Sequence, residues 1–205
     1  MINETDKTEK ACETKGAMLC VSNKVANELV DYIKSLDKGH QYEVLHPGGY
    51  DGTTIRALVL RSERAGQPEH ANDVAGIIKG FDTDEQVRVL QNSTVTRAFE
   101  AWGTTESIKM MADIYLDLPL QEQVRVDEER GPNSFSMNAI LGGAMNRGLN
   151  ESVEQFNTLW KSDEYREARD QYREELKLAK EMEQQQEETY QLNGGTPIFG
   201  LPEVK

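Results

Sequence analysis

Apolar residues recur at steps of three and four along most of the chain, which is the spacing of a helix that buries one face. Val25, Leu29, Val30, Ile33 and Leu36 form the first such stripe; Ser22 precedes it and Gly39 supplies a stop, so an amphipathic helix is predicted there. The stretch "YEVLHPGGYDGTTIRALVLRSE" breaks the pattern. Two β-prone runs, Tyr42 to Leu45 and Thr54 to Leu60, flank a turn-rich centre in which Pro47 fixes φ and Gly48, Gly49 and Gly52 tolerate positive φ. That arrangement predicts a long-looped β-hairpin near 42–60, the single sheet expected in the chain.

Helical signals then resume. Val74, Ile77 and Ile78 share a side of a short helix, and Thr83 with Gln86 has capping-box spacing before Val87 and Leu90. Phe99 and Trp102 read as core or interface anchors. Ile108, Met111, Ile114 and Tyr115 make another stripe, ended by Pro119. Residues 123–127 alternate and leave a short strand and a helix end both open. Gly131 and Pro132 mark the clearest internal boundary. In "MNAILGGAMNRGLN" the pairs Ala139–Gly143 and Ala144–Gly148 stand four apart, so either close helix packing or a loop fits them. Asn150 reads as a helix cap before the repeat of Val153, Phe156 and Trp160, and Ser162 or Asp163 as the start of a second helix or a kink.

From there Tyr165, Ala168, Tyr172, Leu176, Ala179 and Met182 form a narrow seam on a helix otherwise filled with Glu, Arg, Lys and Gln. It is closer to a coiled-coil seam than to a core face. It fails after Met182, leaving "EQQQEETYQ" and a tail that carries Ile198, Phe199, Leu201 and Val204. No period of 20 to 50 residues stands out. The fold class expected is mainly α, of α+β type: a flexible arm at 1–16, a domain at 17–131 holding the hairpin, a helical segment at 132–191 and an extended tail at 192–205.

Composition narrows the function. Only 37% of the 205 residues are apolar and 7% aromatic, so the core is small for the length. A net charge of −13 disfavours direct binding to nucleic acid or an anionic membrane, and Glu63 interrupts the basic run Arg56, Arg61 and Arg64. An acidic surface that occupies a partner's basic groove is the less common alternative. The N-terminus lacks an apolar signal core, and no stretch reaches the length of a membrane span. A cytoplasmic protein, or one incorporated into an intracellularly assembled particle, is expected.

Candidate chemistry is sparse. Cys12 and Cys20 have no zinc-ligand spacing and read as free thiols. His40 and His46 read as surface histidines, and with His70 they make no metal pattern. Phosphate loops, nucleophile elbows and calcium loops are absent as motifs. No cofactor, metal or catalytic residue is therefore expected, and the leading expectation is a non-enzymatic structural or assembly protein. It would bind other protein subunits, of its own kind or another, through Tyr165, Tyr172, Leu176, Met182, Ile198, Phe199 and Leu201, as a component of a viral or other multi-subunit particle does. An acidic inhibitor of a nucleic-acid-processing enzyme is the first alternative. An enzyme using the 46–52 loop, with His46 and Asp51, is the second.

Overall fold

The computed structural model describes residues 23–46, 52–64, 66–128 and 136–192. Eleven α-helices fill them, and no strand occurs among the described residues. In chain order they are α1 (Asn23–Ser35), α2 (Lys38–Leu45), α3 (Thr53–Arg64), α4 (His70–Lys79), α5 (Thr83–Gln91), α6 (Ser93–Trp102), α7 (Thr105–Asp117), α8 (Leu120–Glu128), α9 (Ser136–Asn146), α10 (Asn150–Lys161) and α11 (Asp163–Leu192).

The mainly helical expectation holds, but the hairpin does not. Both of its proposed strands are helical, Tyr42–Leu45 within α2 and Thr54–Leu60 within α3. Gly39, read as a stop, lies in the first turn of α2, where the Asp37 side chain accepts a bond from the His40 amide. In α3 the residues that alternate as a strand would also repeat as a helix does: Ile55, Leu58, Val59 and Ser62 are all buried at steps of three, four and seven. A short apolar run satisfies both periods, and burial decides between them. The loop 47–51 between the proposed strands falls outside the described residues, as do both cysteines.

Burial and packing reveal a repeat that inspection of the sequence misses. Glu85-Gln86-Val87-Arg88-Val89 recurs unchanged as Glu122-Gln123-Val124-Arg125-Val126, a shift of 37 positions. The same shift, without a gap, carries α3–α4–α5 onto α6–α7–α8. Moving Gly103 onto Gly148, a shift of 45, carries α6–α7–α8 onto α9–α10 and the start of α11. Equivalent positions are buried alike: Leu58, Val95 and Ile140 in the first helices; Val74, Met111 and Phe156 in the second. Glu69, Glu106 and Glu151 follow the glycines at one fixed place. A side-chain bond repeats as well: Gln86 Nε2 donates to the Lys79 carbonyl at 2.9 Å, and its equivalent Gln123 Nε2 to the Leu116 carbonyl at 3.1 Å.

Successive units stack through their equivalent helices. α3 packs on α6 and α6 on α9, α4 on α7 and α7 on α10, α5 on α8 and α8 on α11. This is a short α-solenoid of three-helix units, each burying a face its neighbour supplies. A glycine closes the first helix of every unit. Gly66 and Gly148 turn there with φ of +70°, and a Cβ on Gly103 would come within 2.5 Å of the Phe99 carbonyl oxygen.

The two ends of the stack are closed differently. α1 lies over α3 and α4, burying Val30 and Ile33. At the other end the third unit turns polar where the others are apolar. Arg169 replaces Val87 and Val124, and exposed Gln171 replaces buried Val89 and Val126. Polar outer faces of this kind close terminal repeats.

Other local readings hold or shift by small steps. The stripes on α7 and α10 are as expected, as are Leu29, Val30 and Ile33 of that on α1, with Ile33, Met111, Tyr115 and Phe156 fully buried. Residues 123–127 are helical, in α8. The capping box at α5 uses Asp82 and Glu85, one residue before the expected pair, because Asp82 holds the extended backbone of a cap. Gly143 lies in the close packing of α9, where an added Cβ would meet Ile108 Cδ1 at 2.8 Å, whereas Gly148 lies in the following turn. The boundary at Gly131 and Pro132 lies outside the described residues.

The two repeated glutamines give a graded test of the unit. Gln123 is buried and also bonds the Tyr115 carbonyl at 3.1 Å, so Gln123→Ala leaves two carbonyls without that donor. A loss of about 2 kcal/mol is expected, against about 1 kcal/mol or less for the more exposed Gln86→Ala. Urea unfolding of both variants measures the difference, and equal losses would contradict it.

Candidate functional site

The second and third units meet differently from the first and second. In the first unit Ile78 on α4 and Leu90 on α5 are plain buried hydrocarbon. Their equivalents in the second unit are Tyr115 and Asp127, a phenol and a carboxylate. Tyr115 is stacked on Phe156, ring centroids 5.2 Å apart, and Phe156 meets Trp160 edge-on at 5.4 Å. Asp127 Oδ2 accepts from the Tyr115 hydroxyl at 2.6 Å and from the Tyr165 hydroxyl, while Trp160 Nε1 donates to the Tyr115 oxygen at 2.9 Å. Four side chains from α7, α8, α10 and α11 thus share one polar knot.

Burial raises the Asp127 carboxyl above the ordinary aspartate range, the hydrogen bonds from Tyr115 and Tyr165 opposing it. Burial also pushes both tyrosine hydroxyls well above their ordinary values, and the Asp127 charge adds to it, so they remain donors. The folded carboxyl therefore holds a proton more tightly than the unfolded chain does. Its contribution to stability is greatest in acid and declines as pH rises from about 4 through the folded value. The stability of the wild type relative to Asp127→Asn is expected to fall across that window, as followed by urea unfolding at a series of pH values. A difference that rises with pH would reverse the assignment.

Beside the knot, Glu128 fastens α11. It makes a two-pronged pair with Arg173, both bonds 2.7 Å, and its side chain is 9% exposed. Arg169 Nε is buried without a hydrogen-bond partner among the described residues, 4.0 Å from Glu128 Oε1. A cleft of about 240 Å³ opens here, lined by Asp127, Glu128, Met137, Asn138, Trp160, Tyr165 and Arg169. A second, of about 570 Å³, continues past Glu128 along α11, where Arg173, Leu176, Lys177 and Lys180 line it.

Of the residues expected to bind a partner, Tyr165 is buried in the knot, and Tyr172 and Leu176 are half-buried. Met182 is 60% exposed and Leu178, missed by the seam, 52% exposed. The seam thus leaves the body after Leu176, two turns before it ends in the sequence. Ile198, Phe199 and Leu201 lie outside the described residues. His46, expected at the surface, is instead buried and stacked on Tyr42 at 5.4 Å, because α2 turns its last residues inward. Its proposed companion Asp51 lies outside the described residues. Trp102, read as an anchor, is half-buried with the Arg56 guanidinium 5.9 Å from its ring.

By sequence alone Asp127-Glu128-Glu129 reads as a solvated acidic face, which gives no hint of the buried roles of Asp127 and Glu128. The signal that separates them is the repeat, which places Asp127 at the apolar position of Leu90 and Glu128 at the buried polar position of Gln91. Among the described residues no group of three or more His, Cys, Asp or Glu side chains gathers for a metal, and no helix is long and apolar enough to cross a membrane. Compared with protein-family models, with curated proteins and with solved structures, the chain matches none.

Proposed function

We propose that the protein is a non-enzymatic assembly component that binds other protein subunits through the projecting part of α11 and the tail beyond it. The observation that carries this reading is the length of α11. The equivalent helices α5 and α8 have nine residues each, and α11 has 30. Its first eleven residues complete the third unit. The remainder, about 28 Å long, has no counterpart in the other units and presents Leu178 and Met182 to solvent. Isolated polar helices of this length are marginal in water, so a partner is the natural source of its stability.

Two further features support it. The capped first unit and the polar third unit disfavour stacking on other copies, and of the four large apolar side chains exposed among the described residues two, Leu178 and Met182, lie on the extension. The knot and the Glu128–Arg173 pair hold the base of the helix in a fixed direction, which a docking element requires. Truncation after Arg173 tests the reading, because it spares the knot and the Glu128–Arg173 pair that tie α11 to the body. Native mass measurement of the full and shortened chains, each purified with its bound proteins, should show associations only in the full chain. A further version ending at Leu192 separates the helix from Ile198, Phe199 and Leu201. If the chain ending at Arg173 keeps every association, the reading is wrong.

A further inference from the structure

The charges of α11 are sorted by height and by face. Its five cations, Arg166, Arg169, Arg173, Lys177 and Lys180, fall within an arc of about 80° when projected down the axis. Between residues 181 and 192 there is no cation, and Glu181, Glu183, Glu187 and Glu188 centre on the same side of the helix. Of the earlier carboxylates, Glu164, Glu167, Glu174 and Glu175 lie away from this arc, whereas Asp163 and Asp170 flank it. One face of one helix is therefore cationic on balance at its base and anionic at its tip. The 570 Å³ cleft runs along this face, with Leu176 in its lining, Glu128 of the body at its base paired with Arg173, and Lys177, Lys180, Glu181 and Gln184 around it.

Resting on the reading of α11 as a subunit-binding element, we infer that the occupant of this face is α11 of a second copy, running antiparallel. Such a pairing is self-complementary about a two-fold axis between Lys180 and Glu181, as an isologous interface requires. It sets Lys180 beside Glu181 of the second copy and Lys177 beside Gln184, twice over, while Arg173 keeps its pair with Glu128. It also lays the stems of Lys177 and Lys180 across the cleft. A parallel pairing would instead bring four glutamates against four. The two bodies sit at opposite ends of the pair, and at physiological salt a screening length of about 8 Å removes most repulsion between their net charges while adjacent side chains still attract. A nucleic acid strand fits the cationic base but meets the four glutamates on the same face.

Charge exchange tests both partner and direction. Lys177→Glu/Lys180→Glu alters only the cationic side, and Glu181→Lys/Gln184→Lys only the other; circular dichroism confirms that each variant keeps its helix. Sedimentation equilibrium of the full chain should show a dimer whose affinity falls with added salt. Each variant alone should dimerise about tenfold more weakly or worse, and an equimolar mixture should recover a one-to-one heterodimer. A wild-type chain that is monomeric at about 100 µM overturns the second copy as occupant, whereas the subunit-binding reading stands or falls on the Arg173 truncation. A dimer unmoved by either variant, or a mixture without recovery, overturns the antiparallel pairing. Salt-sensitive binding of a labelled oligonucleotide by the wild type, lost in Lys177→Glu/Lys180→Glu, would assign the face to nucleic acid instead.

Discussion

Phe156→Ala is expected to destabilise the protein by about 3–5 kcal/mol, a large part of the 5–15 kcal/mol typical of a whole domain. Phe156 is fully buried and is the largest of the three equivalent residues that include Val74 and Met111. It fills the space between Tyr115, stacked on one side, and Trp160, edge-on at the other. Alanine removes the hydrocarbon and leaves a cavity whose walls are rings tied by hydrogen bonds, so they collapse poorly. In urea, the midpoint should drop while the slope of the transition stays constant. A loss below about 1 kcal/mol would mean that the third unit does not rely on this contact.

Asp127→Leu is expected to cost about 2–4 kcal/mol, although it installs the residue type found at the equivalent position of the first unit. The loss comes from Tyr115 and Tyr165, whose buried hydroxyls would be left without their acceptor. Adding Tyr115→Phe and Tyr165→Phe removes those hydroxyls, and the triple variant is expected to return to within about 1 kcal/mol of the wild type. Trp160 is half-buried, so its N–H can turn to water once Tyr115 no longer accepts from it. A triple variant as unstable as the single one would show that the knot does more than satisfy its own polar atoms. Recovery would show that stacking does not need a carboxylate there, and would shift the reason for Asp127 from stability toward the cleft beside it.

Much of the helix content was legible because long amphipathic stripes have one interpretation. Ile108, Met111, Ile114 and Tyr115 predict α7 and all are buried in it. Short runs behaved otherwise: Thr54 to Leu60 carries a strand period and a helix period at once, and packing against α1, α4 and α6 selects the helix. The repeat was harder to see because identity survives in one pentapeptide, while the remaining equivalences conserve burial rather than residue type. Leu90, Asp127 and Tyr172 occupy one structural position and share no chemistry. In the third unit Ala168 and Arg169 replace the repeated Gln and Val, which erases the pattern where α11 becomes a terminal element. The polar knot had no local signature either, since its four residues come from four helices up to 50 positions apart.

Stacked units also dictate how the molecule comes apart. Most contacts run between adjacent units, with a smaller one between α5 and α9, so opening is expected to proceed from an end inward rather than all at once. The third unit has one apolar neighbour and a polar outer face, whereas the second is enclosed on both sides. Amide hydrogens in α10 and in α11 up to Arg173 should therefore exchange through a partial opening well below the global unfolding free energy, and those of α7 only near it. The protein can release the base of its long helix while two-thirds of the stack stays folded, so a tug on that helix is answered by a local hinge before it is felt as global unfolding.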